Sequence, residues 1–174
     1  MVSRSGFYVE DNSIIQRVVS INWDLGFDSF AKQKYIERIH KAFGEDKGVL
    51  LDVTSASNND GGRTLSPLFV RMKSRDCTVE DFLQKHPELL VMRGMSDYLY
   101  LNNLRDFHKK IISNYDCFSD VFHNPDKQYG NTQACSLAVY KLMQKQDKLA
   151  LLKDYETFRD FYETINFRKE ERGT

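Results

Sequence analysis

The spacing of apolar residues changes along this chain, and that change restricts its fold to a mixture of strands and helices. Near the amino terminus, the segment RVVSINWD (17–24) alternates and is rich in β-branched side chains, a pattern typical of a strand. Towards the carboxyl terminus, apolar residues recur every three or four positions, as on one face of a helix. With 174 residues, the chain can form one domain around one core. We therefore expect a single helix-rich α+β domain with a small sheet, spanning residues 1–174.

The first predicted elements are an extended region and a helix. Residues 7–24 are expected to be extended, with a turn at DNS (11–13). Residues 28–43 are expected to form a helix, and either Asp28 or Ser29 could cap its first turn.

The middle of the chain adds two predicted strands. The run GVLLDV (48–53) has the apolar character of a buried strand. The run LSPLFVRMK (65–73) also predicts a strand, at a sheet edge or starting at Pro67, which has no backbone N–H. A polar loop, residues 55–64, joins the two and contains the turn signal NNDGG. Helices are predicted from Thr78, from Pro87, at 96–107, at 108–115, at 134–143, and over the C-terminal part, 141–174.

The C-terminal helices carry a stripe of large apolar residues. Its members are Leu151, Tyr155, Phe158, Tyr162 and Ile165. An apolar stripe on a globular domain is normally buried, so core packing is the favoured interpretation. A docking face for a partner protein is the alternative.

The charge of the chain is balanced, with 25 basic and 25 acidic side chains. No overall field therefore draws it to nucleic acid or to an anionic membrane, and any such contact has to come from a local patch. One local basic run contains Arg63, Arg71, Lys73 and Arg75. The solvated face of a strand is the simpler interpretation of that run.

Neither the cysteines nor the histidines are spaced as metal ligands. The three cysteines and four histidines are scattered, so we predict no metal site. The common nucleotide-binding, esterase and metalloprotease motifs are absent, and we predict no cofactor. The amino terminus lacks the apolar core of a signal peptide, and no run is long enough to span a membrane. A reducing, cytoplasmic location is the resulting expectation.

Residues 115–134 combine polar groups with large apolar ones. Asp120, Asn124, Asn131 and Gln133 supply one carboxylate and three amides. Apolar residues beside them could hold the loop rigid, and rigid polar loops often carry binding groups. A packed connector whose Asp and Asn cap the next helix is an equally good explanation.

Further polar residues come from the predicted strands and from the helix that follows them. Thr54, Ser55 and Ser57 follow the strand at 48–53, and Ser66 begins the next one. Glu80 and Gln84 are four positions apart and so share one helix face. Carboxylates among hydroxyls and amides suit a sugar or a nucleotide, and a carboxylate can stabilise an oxocarbenium-like centre. A solvated helix face is the alternative for Glu80 and Gln84.

Five separated segments carry a resemblance to a known family. They are INWDLGFDSFAKQKYIERIH, LLDVTSAS with GGRTLSPLFVRMK, CTVEDFLQK, DYLYLNNL, and YDCFSDVFHNPDK with NTQA. In this order, over residues 17–140, they resemble the NADAR family of ADP-ribose-processing proteins. The similarity is to the branch that serves as antitoxin to DNA-targeting ADP-ribosyltransferases.

The resemblance implies a NADAR-type α+β domain with a polar cleft for ADP-ribose. It also implies removal of ADP-ribose from a modified guanine base in DNA, by cleavage of the N-glycosidic bond at the distal ribose. The implied partners are ADP-ribosylated nucleic acid, or an ADP-ribose-like ligand, and a cognate ADP-ribosyltransferase toxin. Glu80 or Asp120 would handle proton transfer. Residues matching the family's ligand-binding positions are Ser66, Gln84, Asn124, Asn131 and Gln133.

The chain departs from the family after Gln84. The family's lysine, the expected amine nucleophile, has no counterpart at its spacing, where Pro87 stands, and Lys85 is the nearest amine. Lys85 is one position beyond Gln84 and should point about 100° around the helix from it. Two interpretations remain: a shortened glycohydrolase with Lys85 as third catalytic candidate, or a degenerate protein that binds ADP-ribose, a nucleotide or a toxin without cleavage.

Overall fold

The computed structural model describes residues 1–123, 125 and 132–170. Over these residues it forms one α+β domain, as predicted, with five strands and seven α-helices. The strands are β1 (Val2–Glu10), β2 (Ser13–Ile21), β3 (Leu50–Asp52), β4 (Cys117–Ser119) and β5 (Asn166–Lys169). The helices are α1 (Ser29–Phe43), α2 (Asp60–Thr64), α3 (Val79–Lys85), α4 (Met95–Asn102), α5 (Asp106–Ser113), α6 (Gln133–Lys145) and α7 (Tyr155–Tyr162). Two short 3-10 helices cover Pro87–Val91 and Leu149–Lys153.

Strands β1 and β2 form a long antiparallel hairpin. Glu10 pairs with Ser13, so the connection is the two-residue turn Asp11–Asn12. Both turn residues have positive φ, 47° and 57°. Aspartate and asparagine tolerate this conformation better than most residues, and such turns match the twist of the strands they join. The turn predicted at DNS is confirmed.

The sheet has the order β3-β4-β1-β2-β5. Strand β4 pairs antiparallel with β1, whereas β3 pairs parallel with β4 and β5 pairs parallel with β2. Strands β3 and β4 have three residues each, so the nine-residue strands of the hairpin form the centre of the sheet. The three central strands, β4, β1 and β2, therefore form an antiparallel sheet, and each edge strand, β3 or β5, is parallel to the strand beside it.

Helix α1 packs in one of two apolar cores. Asp28 begins it, accepting a 2.8 Å hydrogen bond from the Ala31 amide, and Gly44 ends it with a φ of 83°. Its buried residues Tyr35, Ile39 and Phe43 pack against side chains of β1 and β2. The helix predicted at 28–43 is confirmed, and its apolar stripe is its buried face.

The second and larger core contains α4, α6 and α7. Helix α6 contacts β1, β4 and α4, and eight of its thirteen residues are buried. Phe158 and Tyr162 of the predicted C-terminal stripe lie in this core. Core packing is therefore confirmed for that part of the stripe, and the alternative of a docking face there is wrong.

Three parts of the sequence prediction are corrected. Residues 65–69 form turns instead of a strand, because the carbonyl of Ser66 accepts the amides of Phe69 and Val70 at 2.8 and 3.0 Å, and residues 70–73 contribute only an isolated antiparallel bridge between Arg71 and Thr78. The run NNDGG starts helix α2, because the Asn59 side chain accepts the amides of Gly61 and Gly62 at 2.8 and 3.3 Å.

The third correction concerns two short strands that the sequence did not predict. Strand β4 lies inside the polar segment 115–134, and β5 follows the last helix within the stretch expected to be helical. Both are short, and both depend on partners that are distant in sequence. Periodicity over three or four residues cannot reveal such strands.

Candidate functional site

The carboxyl ends of β3 and β4 meet at one edge of the sheet. Asp52 pairs with Ser119 in the parallel register, and the Val53 amide continues the ladder by donating to the Ser119 carbonyl at 2.8 Å. The segments that follow the two strands, with Thr54 on one and Asp120 on the other, therefore begin side by side. Binding residues commonly cluster where parallel strands end.

Asp120 is fixed between its own loop and the start of α6. One carboxylate oxygen accepts the Phe122 amide at 2.8 Å, and the other accepts the Thr132 hydroxyl at 3.3 Å. Thr132 also caps α6 by accepting the Ala134 amide at 3.2 Å. Gln133, the next residue, is the first of α6 and is half-buried. The structure thus brings Asp120 and Gln133 to the same helix terminus.

Burial dominates the ionisation of Asp120. It raises the pKa of Asp120, against the hydrogen bonds from Phe122 and Thr132 and the positive charge of Arg4. Arg4 lies close by because its Nε donates to the Val121 carbonyl at 2.5 Å. A carboxylate with a raised pKa is suited to exchange a proton with a substrate or water.

Asp52 is a second carboxyl at this strand end, and sequence reasoning missed it. It is 1% exposed, and its Oδ2 accepts the Ser119 hydroxyl at 3.1 Å. Its Oδ1 is buried and has no hydrogen-bond partner among the described residues. Burial first, and the charge of Asp120 second, raise the pKa of Asp52 well above its usual value. The available signal was one carboxylate inside the apolar run 49–53.

The loop after β3 folds tightly over the strand end. Thr54 is buried and its carbonyl accepts the Ser57 amide at 3.1 Å, whereas Ser55 is exposed. A side chain at Gly62 would overlap the backbone carbonyl of Asp52. The close approach of α2 to β3 therefore requires glycine at this position.

The other predicted site residues lie on or before α3. Gln84 Nε2 donates to Glu80 Oε1 at 3.0 Å, which places both on one face as predicted. Glu80 is half-buried, while Gln84 and Lys85 are exposed. Ser66 is buried, and the Glu80 amide donates to the neighbouring Pro67 carbonyl at 3.3 Å. The backbone segments that carry Ser66 and Glu80 are therefore close in space.

Within the described part of the chain, no hydrogen bond or ion pair joins Glu80 or Lys85 to Asp120. Asn124 and Asn131 lie outside the described residues. The structure therefore brings Thr54, Asp120 and Gln133 to one end of the sheet, and keeps Glu80 and Gln84 together on α3.

Two openings border the free edge of β3. One of about 410 Å³ lies between α1, β3 and residues 57–59, and one of about 720 Å³ lies beside the turn from Gly44 to Gly48. His40 and Leu50 line both. His40 Nε2 is buried without a hydrogen-bond partner among the described residues, and burial lowers the pKa of His40. Asp52 lines the first opening, whose volume is in the range of ligand pockets.

Residues 1–123, 125 and 132–170 contain neither a cluster of metal ligands nor a membrane-spanning helix. No group of three or more His, Cys, Asp or Glu side chains there could hold a metal ion. None of the helices in that part is long and apolar enough to cross a membrane.

The helices and the five-stranded sheet form a single α+β domain, which is consistent with the NADAR class of proteins. A family model described as "DarT1-associated NADAR antitoxin" matches residues 3–86 and 91–172. The chain therefore belongs to this antitoxin family, and the predicted resemblance is confirmed. The family implies a toxin of the DarT type as cognate partner. No curated protein matches the chain in a sequence comparison.

Proposed function

We propose that this protein is an ADP-ribosyl glycohydrolase that removes ADP-ribose from a modified guanine base in DNA. The observation that carries the proposal is the pair of interacting carboxyls, buried Asp52 and half-buried Asp120, at the ends of two parallel strands. Membership of the NADAR antitoxin family supports a role in reversing the damage done by a toxin. The proposed setting is the cytoplasm, where the toxin would meet DNA.

Cleavage of the N-glycosidic bond requires a negative charge beside the distal ribose. Breaking the N-glycosidic bond places positive charge on the ribose ring, and a nearby carboxylate stabilises it. Asp120 is the stronger candidate for that charge, because burial raises the pKa of Asp52 well above its usual value and so favours a protonated Asp52. Thr54 and Gln133 would hold hydroxyl groups of the ligand from either side, and the amides of Asn124 and Asn131 are proposed to assist.

The remaining groups of the proposal lie on α3 and in the segments that precede it. Glu80, in its hydrogen bond with Gln84, would donate the proton that the leaving base requires, and Ser66 would bind the ligand nearby. Lys85 is the candidate amine nucleophile, although it is exposed to solvent. Ser55, also exposed, would contact the outer part of the ligand.

The test is release of ADP-ribose from guanine-modified DNA, measured by mass spectrometry. Loss of a general acid lowers rates roughly 100- to 10,000-fold, and we expect that for Glu80→Gln. Loss of a preorganised charge-stabilising group lowers rates roughly 100- to 1,000-fold, and we expect that for Asp120→Asn. Glu163→Gln, an exposed carboxylate after α7, is the matched control and should leave the rate unchanged. Wild-type rates in both site variants would refute the assignment.

A second candidate function is binding without cleavage. The exposure of Lys85 favours it, because a nucleophilic lysine is typically activated by desolvation in an apolar pocket. Calorimetric binding of ADP-ribose with no turnover at high protein concentration would establish this alternative. Turnover that survives in Lys85→Gln would instead show a hydrolase that needs no lysine nucleophile.

A further inference from the structure

Two half-buried cations lie beside the loop that carries Asp120. Arg4, on β1, donates from Nε to the Val121 carbonyl at 2.5 Å, and its Nη1 donates to a carbonyl of its own strand at 2.7 Å. Lys32, on α1, places its Nζ 5.8 Å from the centre of the Phe122 ring. The two cations therefore contact the two residues that directly follow Asp120.

These cations have no carboxylate to pair with. Among the residues that the structure describes, neither Arg4 nor Lys32 forms an ion pair or a hydrogen bond with a carboxylate. Nη2 of Arg4 has no acceptor there, and the side chain of Lys32 forms no hydrogen bond. By contrast, half-buried Arg17 on β2 pairs with Asp46 at 2.7 Å. Taking a cation out of water is unfavourable unless an anion or hydrogen-bond acceptors replace the water.

The surroundings of both cations add to this cost. Burial lowers the pKa of Arg4, and the charge of Asp120 opposes that effect only in part. Lys32 lies one turn into α1, whose amino terminus is itself positive and whose first turn has no acidic residue. The capping residue Asp28 offsets this positive end in part. An anion bound between Arg4 and Lys32 would offset the remaining cost.

The cations lie at the same end of the sheet as the candidate site. Gln33, next to Lys32, donates to the Ala56 carbonyl in the loop after β3. The positive charge of Arg4 is near enough to Asp120 to lower the pKa of that carboxyl, against the effect of burial. The amino-terminal part of α1 thus contacts the loops that follow both β3 and β4.

The substrate of the proposed function carries an anion where these cations could bind it. In ADP-ribose, the diphosphate is attached directly to C5 of the distal ribose. A ribose whose anomeric carbon faces Asp120 therefore keeps its diphosphate within the length of one sugar from that carboxyl. Arg4 and Lys32, which contact the next two residues, are placed to meet it. Guanidinium and ammonium groups are both common partners of phosphate in proteins.

We propose that Arg4 and Lys32 bind the diphosphate of the ADP-ribosyl group while Asp120 faces the distal ribose. The guanidinium of Arg4, which lies 4.5 Å from the centre of the Trp23 ring, would donate from Nη2 to one phosphate, and the ammonium of Lys32 to the other. This inference rests on the proposed function for the position of the ribose. It makes the two cations specificity residues, because a guanine that carries ribose alone would lack the group they bind.

The first test is calorimetric binding of ADP-ribose to the wild type and to Lys32→Gln. Loss of a charge-assisted contact with phosphate should weaken binding roughly 10- to 100-fold. Lys34→Gln is the matched control, because it removes the same charge from the same helix, where Lys34 pairs with Glu37 at 2.8 Å. It should keep the wild-type affinity. Arg4→Lys should also weaken binding, because an ammonium group cannot replace the planar fork of a guanidinium.

The second test is turnover of DNA that carries ADP-ribosylated guanine. Lys32→Gln should raise KM and leave kcat close to that of the wild type, because the diphosphate is held equally in the ground state and in the transition state. A variant that lost only its catalytic geometry would instead lose kcat.

Equal affinities for ADP-ribose in the wild type, Lys32→Gln and Lys34→Gln would overturn the inference, and so would a wild type that binds no ADP-ribose. If Lys32→Gln weakens only the binding of unmodified single-stranded DNA, the cations hold the DNA backbone and the diphosphate assignment is wrong. If the wild type binds ADP-ribose through Lys32 but cleaves no modified DNA, the proposed function fails and this inference stands. If it cleaves, and KM is unchanged in Lys32→Gln, only this inference fails.

Discussion

Asp97 couples the stability of this fold to pH. Its carboxyl is 1% exposed, and it accepts a 2.5 Å hydrogen bond from the Ser136 hydroxyl of α6. Burial raises the pKa of Asp97 from its usual 3.8 to about 6, against hydrogen bonds from Ser136 and Tyr162. The folded protein therefore keeps this proton to a higher pH than the unfolded chain does.

The sign and the size of the effect follow from that difference. Between the two pKa values the folded state binds more protons, so the contribution of Asp97 to stability falls as pH rises through this window. The difference between 6 and 3.8, at 1.36 kcal/mol per pH unit, corresponds to roughly 3 kcal/mol. For a chain of this length, that amounts to about 6–12 °C in Tm.

The pH-dependent contribution of Asp97 can be measured by urea unfolding of the wild type and of Asp97→Asn at about pH 4 and about pH 7. Asparagine keeps the size and one acceptor oxygen but carries no titrating proton. From pH 4 to pH 7, the free energy of unfolding of the variant should rise by roughly 2.4 kcal/mol relative to that of the wild type, because the unfolded carboxyl is already partly ionised at pH 4. Glu163→Gln, the exposed control, should have the free energy of unfolding of the wild type at both pH values. A gap between wild type and Asp97→Asn that does not change with pH would refute the reasoning.

Further predictions concern an ion cluster and two glycines. Arg17 donates to Asp46 at 2.7 Å and to Glu170 at 2.5 Å, so Arg17→Met should lower the free energy of unfolding by about 2 kcal/mol, measured in urea. Most of that loss should vanish at a pH low enough to protonate both carboxylates, whose pKa values the arginine lowers. Gly62→Ala should cost about 3 kcal/mol by calorimetry, because the new methyl group overlaps a backbone carbonyl. Gly26→Ala, with a φ of 92° and open space around it, should cost only about 1 kcal/mol.

The long elements of the fold could be predicted from the sequence, because each carries its own signal. Helix α1 has a capping aspartate, an apolar stripe and a terminal glycine within seventeen residues. Strands β4 and β5 have no such signal, since their backbone partners come from distant parts of the chain. Tertiary pairing decides whether segments this short are strands.

Of the two carboxyls in the candidate site, one could be predicted from the sequence and the other could not. Asp120 was found because it lies in a polar segment between apolar anchors, one of which, Phe118, is fully buried in β4. Asp52 was missed because a lone carboxylate inside an apolar run gives no indication of its partner. Only the pairing of β3 with β4 brings the two carboxyls together. The residue types in the sequence could identify Asp120, but not its proximity to Asp52.

The proximity of Asp52 and Asp120 depends on the register of β3 against β4. The pairing of Asp52 with Ser119 places the Asp52 carboxyl against a buried hydroxyl and close enough to Asp120 for their charges to interact. A slip of one residue would turn Asp52 to the opposite face of the sheet and separate the two groups. Strands of three residues cannot fix their register alone. The hairpin strand β1 and the tight contact at Gly62 do so here, so the proposed chemistry depends on backbone packing several residues away from either carboxyl.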